Sequence, residues 1–272
     1  MVSVSVLGSG SRGNCTLIST TRTRILVDAG LSARETFRRM QMVGESIHSL
    51  SAIVISHEHS DHVSGLCTLA KKLRVPVYMT GAAHQAFERA QHDRAVQHED
   101  GEAPSVLAAC ECFRSGSGFQ IGDISVMPFT IPHDAADPVA FTFRLEGIKV
   151  GVVTDLGYMP ASVAQHIRGC DVLMIESNHD LEMLRIGPYP WSVKQRVMSR
   201  LGHLSNDALA DFFRNEYDGT AAFVVLAHLS EHNNHPEIAR TAAEHALSER
   251  RSLLHNRLML ASQMQPTEPL RF

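Results

Sequence analysis

The feature that most constrains this chain is a series of short apolar stretches, each ending on a side chain with reactive chemistry. Residues 24–28, 52–55, 149–154, 172–176 and 222–227 are rich in Val, Ile, Leu and Ala, and the chain leaves them near Asp28, His57, Asp155, Asn178 and His228. Runs this short, bounded by polar clusters, read as buried strands. In α/β sheets, ligands gather where strands end. Helical patterns lie between the runs at 32–42, 64–72, 81–91, 162–168, 192–200 and 206–216, and another begins near Pro236. Ser32 and Glu35 form a capping-box pattern at the start of the first. Hairpin-like strand pairs, such as 139–145 with 149–154, interrupt the alternation. This predicts an α/β fold of mixed sheets covered by helices on their outer faces. No linker, low-complexity tract or repeat divides the chain, so residues 1–272 are expected to form one domain. Residues 92–118 give no readable pattern.

Composition narrows the function. The hydrophobic fraction is 44% and the charged fraction 20%, as in water-soluble globular proteins. The longest apolar run, residues 221–227, is far below the roughly 20 residues of a membrane span. The first residues lack a basic segment followed by an apolar one, so no secretory leader and a cytoplasmic location are expected. A net charge of −4 argues against electrostatic coating of nucleic acid and leaves room for a local basic groove. Cys110-x-Cys112 lacks zinc-knuckle spacing and a second Cys pair, so all five cysteines are read as free thiols. The 16 histidines are unusual, and only their positions can say why.

The strongest chemical signal is His57-x-His59-x-Asp61-His62, directly after a buried strand. In an extended loop, residues i and i+2 point the same way, so His57 and His59 can grip one ion while Asp61 and His62 turn toward another. Imidazole with carboxylate suits Zn²⁺, Mn²⁺ or Fe and not Ca²⁺.

This pattern resembles the signature of the metallo-β-lactamase fold hydrolases. The resemblance covers nearly the whole chain and implies a four-layer αββα sandwich with metals at one edge. It implies that Asp28 supports the ligand loop. It adds His133, in Ile131-Pro132-His133-Asp134, then Asp155, in Val152-Val153-Thr154-Asp155, and His228, in Ala227-His228-Leu229-Ser230, as ligands. One ion would take His57, His59, His133 and Asp155, and the other Asp61, His62, Asp155 and His228. Two divalent ions, Zn or Mn with Fe as a third option, would act through a bridging hydroxide, with Asp61 and Asp155 as catalytic carboxylates.

Longer motifs are similar to those of the bacterial YycJ/WalJ family of metallo-hydrolases. They are Gly8-Ser9-Gly10-Ser11-x-Gly13-Asn14-Cys15, Glu176-Ser177-Asn178-His179-Asp180, Gly187-Pro188-Tyr189-Pro190-Trp191-Ser192, Gly202-His203-Leu204-Ser205-Asn206 and Ala227-His228-Leu229-Ser230-Glu231-x-Asn233-Asn234. This resemblance implies a cytoplasmic 5′-to-3′ exonuclease on double-stranded DNA, with no obligate protein partner evident. A small-molecule hydrolase of cyclic phosphodiesters, lactones or thioesters is the alternative on the same fold. His203, just ahead of a helix capped by Ser205 or Asn206, resembles a histidine that contacts the scissile phosphate or assists the leaving group. Ser11, Arg12, Asn14, Asn178, His179, Lys194 and Ser205 are candidate substrate contacts. For Arg12 solvent is an equal option, for Lys194 a solvated helix face, and for His179 a structural role. His232 and His235 stay ambiguous. His48, His84, His92, His98, His166, His245 and His255 have no motif around them.

Overall fold

The computed structural model describes residues 1–97, 107, 109–248 and 256–272. Two seven-stranded mixed sheets lie face to face, with helices outside both. The first sheet holds β1 (Ser3–Gly8), β2 (Cys15–Ser19), β3 (Arg24–Val27), β4 (Ala52–Val54), β5 (Val77–Thr80) and β6 (Cys110–Phe113) side by side in chain order. The second holds β7 (Phe119–Ile121), β8 (Ile124–Thr130), β9 (Val139–Leu145), β10 (Ile148–Val153), β11 (Val172–Glu176), β12 (Phe223–Ala227) and β13 (Arg257–Leu260), also in chain order. The chain then returns to the first sheet, where β14 (Leu270–Arg271) pairs antiparallel with β1.

Three apolar layers explain the four-layer build. Val4, Val27, Val54, Phe141, Phe143 and Val225 pack between the sheets. Leu7, Leu26, Ile53, Met40, Leu69 and Phe87 join the first sheet to α1 (Ala33–Met42), α3 (Leu66–Leu73) and α4 (Gly81–Gln97), with the short α2 (Ser60–Val63) ahead of α3. Leu173, Ile175, Leu226, Phe213 and Ala243 join the second sheet to α5 (Ala161–Ile167), α8 (Asn206–Asn215) and α9 (Pro236–Ser248). Two shorter helices, α6 (Leu181–Ile186) and α7 (Trp191–Val197), fill the connection between β11 and α8. Strands buried on both faces have no polar side to alternate, hence their continuous apolar runs.

Four expectations need adjustment. The expected helix 64–72 starts later, as α3 at Leu66, and the unexpected α2 over Ser60–Val63 precedes it; between them lies Gly65, whose N–H donates to Ala29 O at 2.8 Å. A Cβ at Gly65 would stand 2.0 Å from Leu31 O, so this residue lets the ligand loop pass close to β3. The capping box is half made: Ser32 Oγ accepts from Glu35 N, but the Glu35 carboxylate takes Arg38 and Arg39 instead of reaching back. The unreadable stretch contains the end of α4 and β6, while β13 and β14 follow a helix that had no expected successor. His98 and His255 lie outside the described residues. Among the described residues, no helix is long and apolar enough to cross a membrane.

Candidate metal centre

Strand ends build the centre. Asp28 follows β3, His57 follows β4, Asp155 follows β10, and His228 follows β12 directly. Asp28, Asp155 and His228 all have left-handed backbones, with φ of 61°, 61° and 55°. Non-glycine residues pay for that conformation, and such residues collect at functional sites. Here the turn swings the chain out of each strand at the same edge of the sandwich, and the three side chains are buried.

Two ligand clusters result. The ligand atoms of His57, His59 and His133 lie within 4.8 Å of one another, and so do those of Asp61, His62, Asp155 and His228. Asp155 stands between them: Oδ2 is 3.3 Å from His62 Nε2, and Oδ1 is 3.2 Å from His228 Nδ1 and 4.0 Å from His133 Nε2. His59 Nδ1 and His133 Nε2 face each other at 3.2 Å.

These residues fit a metal. His57 Nδ1 meets Ser56 Oγ at 3.0 Å, but His57 Nε2 is buried with no hydrogen-bond partner. Asp155 Oδ2 is likewise unpaired, because its approach to His62 lacks hydrogen-bond alignment. Leaving a buried polar atom unmet costs about 1–3 kcal/mol. Orphaned imidazole and carboxylate atoms at the junction of two His/Asp clusters are the donor set of Zn²⁺, Mn²⁺ or Fe.

Around the ligands lies a supporting set. Asp28 Oδ2 accepts from His62 Nδ1 at 2.8 Å, and Asp28 Oδ1 accepts from Ser56 N and Oγ. This fixes the His62 ring with Nε2 toward Asp61 and Asp155. Burial works against charge on His62, yet Asp155, Asp28 and Asp61 together hold its imidazole well above the usual range. Asn14 corrects an expectation. It is buried and donates through Nδ2 to Asp61 Oδ2 at 3.1 Å, while its N–H donates to Asp61 O at 2.7 Å, so it holds a ligand loop and not substrate.

Gly30 makes that arrangement possible. A Cβ there would stand 1.7 Å from Asp61 O, inside the backbone of the ligand loop. Gly30→Ala is therefore expected to destabilise the protein by about 3 kcal/mol, the upper end for overpacking, and to lower metal affinity by displacing Asp61. Thermal unfolding with and without divalent metal measures both effects.

Glu176, the last residue of β11, is the functional residue that sequence reasoning missed. Its Oε1 accepts from His203 Nδ1 at 2.9 Å and His228 Nδ1 at 2.8 Å, and its Oε2 accepts from Leu156 N and Leu204 N. Burial opposes its charge, but His203 and His228 hold its carboxyl down to about 2. Burial pushes the His203 imidazole down, but Glu176 and Asp155 together hold it above the usual range. With Nδ1 occupied, Nε2 is the His203 nitrogen left to meet a substrate, and the side chain is 21% exposed. The available signal was a lone carboxylate closing the run Val-Leu-Met-Ile-Glu, which burial obliges to find partners.

The other expected contacts separate into two groups. Ser11 and Arg12 are exposed and line a cavity of about 340 Å³ beside residues 229–231, next to His228. Arg12 pairs there with Glu231 at 3.0 Å. Lys194 belongs to no phosphate-binding face: it is buried, and its Nζ donates to Arg185 O at 2.8 Å, tying α7 to α6. Asn178 Nδ2 donates to His228 O, and Ser205 Oγ caps α8 by accepting from Ala208 N. His179 is buried against Asn178, and burial pushes its imidazole down to about 4. These four work on loop architecture. His232 lies against Tyr189, and His235 Nδ1 accepts from Glu237 N, so neither is in the ligand clusters.

A fold of this kind with this donor set defines a class. The family model of the beta-lactamase superfamily domain matches residues 23–228, and the chain belongs to that superfamily as a metal-dependent hydrolase. Among its relatives, exodeoxyribonuclease YycJ of Bacillus anthracis is 38% identical over 90% of this chain and 89% of its own length. Exodeoxyribonuclease WalJ of Streptococcus pneumoniae serotype 2 is 34% identical over 90% of this chain and 88% of its own. The metallo-beta-lactamase fold protein YhfI of Bacillus subtilis superposes with a TM-score of 0.68 at 17% identity, covering 98% of this chain and 100% of that one, and confirms the fold. The expected αββα sandwich and the YycJ/WalJ resemblance are both borne out.

Proposed function

We propose that this chain is a nuclease that hydrolyses phosphodiesters of DNA from the 5′ end, with two divalent cations held by His57, His59, His133, Asp61, His62, His228 and the shared Asp155. The observation that carries the reading is the junction of two His/Asp clusters on one carboxylate, with unpaired His57 Nε2 and Asp155 Oδ2 inside it. The exodeoxyribonuclease names of its relatives support DNA as the substrate. When bound, such cations polarise a phosphoryl oxygen and lower the pKa of water.

The protein's own residues do the rest. Asp28 and Glu176 fix the rings of His62 and of His228 and His203, so the donors are oriented before metal or substrate arrives. Asn14 holds Asp61 at the rim. His203 Nε2 donates a proton to the leaving oxygen, a role suited to an imidazole whose Nδ1 is already held by a carboxylate. The cavity beside Ser11 and Arg12 takes the nucleotide at the DNA end.

Duplex DNA labelled at either end tests this reading. With Mn²⁺ or Zn²⁺, a 5′ label should be released at once as small products, while a 3′ label should persist on shortening strands. Intact DNA alongside turnover of a cyclic phosphodiester, lactone or thioester would replace the proposal with a small-molecule hydrolase. His203→Ala should lower kcat by about 10²–10⁴-fold with metal content unchanged. Elemental analysis beside rate measurements separates that outcome from simple metal loss.

A further inference from the structure

Outside the catalytic clusters, metal-binding side chains converge where α4 lies over β6. Cys110 and Cys112 stand two residues apart on β6, so their thiols share one face of the strand. His84 lies in the first turn of α4. The ligand atoms of His84, Cys110 and Cys112 all lie within 4.8 Å of one another. Glu88, one helical turn further on, brings Oε1 to 3.4 Å from His84 Nε2. Cys110-x-Cys112 alone lacks a partner pair, and His84 alone has no motif; the fold supplies the juxtaposition that spacing could not.

Two thiols, an imidazole and a carboxylate make a four-ligand set for tetrahedral Zn²⁺. Bond lengths of about 2.0–2.3 Å place neighbouring ligand atoms about 3.3–3.8 Å apart in such a site. For His84, Cys110 and Cys112, whose ligand atoms are at most 4.8 Å apart, closing to that spacing takes shifts of up to about 1.5 Å, within the reach of side-chain rotation, and Glu88 would join by turning its carboxylate from His84 toward the thiols. Cys112 is exposed and Glu88 half-exposed, which leaves an ion a way in. The place has mechanical sense. Among the described residues β6 is the last strand of the first sheet and pairs with β5 alone, so a clip to α4 would protect a sheet edge.

We propose that His84, Glu88, Cys110 and Cys112 form a structural zinc site that fastens α4 to the outer edge of the first sheet. It is distinct in chemistry from the catalytic centre, whose donors contain no sulfur. Thiolates select Zn²⁺ and discriminate against Mn²⁺, which imidazole and carboxylate accept.

Cobalt substitution reads this difference directly, because thiolate ligation gives a sulfur-to-cobalt charge-transfer absorption in the near ultraviolet. Reduced full-length protein titrated with Co²⁺ should develop that band, and zinc-loaded protein should hold one zinc more than a C110S/C112S variant. The variant should lose the band, keep its circular dichroism and keep whatever hydrolysis Mn²⁺ supports. His84→Ala should retain a weakened site, with zinc affinity reduced more than about 10-fold. Absence of the band from the reduced wild-type protein would overturn the proposal. So would its persistence in C110S/C112S, which would place it on Cys15, Cys67 or Cys170.

Discussion

Asp155→Ala is expected to lower hydrolysis by about 10³-fold or more and to strip most bound divalent metal from the protein. Among the described residues Asp155 is the one carboxylate within reach of His62, His133, His203 and His228 together, at 3.3, 4.0, 3.7 and 3.2 Å. Without it both clusters lose the anionic ligand they share and keep mainly neutral imidazole donors, so both lose affinity for a dication at once. Burial opposes charge on Asp155, but His228, His62 and His57 hold its carboxyl well below the usual range. Elemental analysis after dialysis, with rates at saturating metal, measures the effect. Near-normal metal content with a rate loss under tenfold would mean that Asp155 does not join the two clusters.

The second large effect is expected from Glu176→Gln, a change that keeps size and removes symmetry. The carboxylate accepts four hydrogen bonds, two imidazole donors on Oε1 and two backbone donors on Oε2. A glutamine offers one acceptor oxygen. If its NH₂ faces Leu156 and Leu204, two buried N–H groups lose their acceptor, at about 1–3 kcal/mol for each. If it faces His203 and His228, the amide removes the anion that accepts from both Nδ1 atoms: His228 must move its proton to Nε2 and loses the lone pair a metal would use, and His203 loses the charge that keeps it protonated for its transfer to the leaving oxygen. Either way the expected result is a lower Tm and a 10–100-fold loss of activity or metal affinity, the usual cost of breaking an orienting partner. Glu176→Gln behaving as wild type in both assays would reduce Glu176 to a bystander.

The part of the candidate site contributed by His57 to His62 is legible because it is local. His57, His59, Asp61 and His62 lie within six residues, directly after an apolar strand, and need no knowledge of the fold to be read as a ligand set. His133, Asp155 and His228 needed the resemblance as well, since a single histidine after a strand has several uses. Glu176 was hidden by its neighbours: it closes β11 just before Ser177, Asn178, His179 and Asp180, whose polarity drew attention away from the strand's own last residue. The sequence offers Asn14 and Lys194 only as candidate substrate contacts, and the fold spends their hydrogen bonds on Asp61 and Arg185. In the fold, β4, β11 and β12 were readable as continuous apolar runs. β6 and β14 were not, because an edge strand is defined by the neighbour it pairs with, and Val77 against Cys110 or Val4 against Leu270 are pairings across long sequence separations.

In the proposed reading, two His/Asp clusters joined by Asp155 hold the cations on which DNA hydrolysis depends. Manganese is the suitable probe, because it suits imidazole and carboxylate and avoids the thiols of Cys110 and Cys112. Metal-free protein titrated with Mn²⁺, with bound metal and cleavage of end-labelled duplex DNA followed in the same samples, tests the claim most directly. Cleavage should be absent without metal, rise with occupancy, and level off as two Mn²⁺ are bound per chain. Cleavage that is indifferent to Mn²⁺, or full occupancy with DNA left intact, would contradict it.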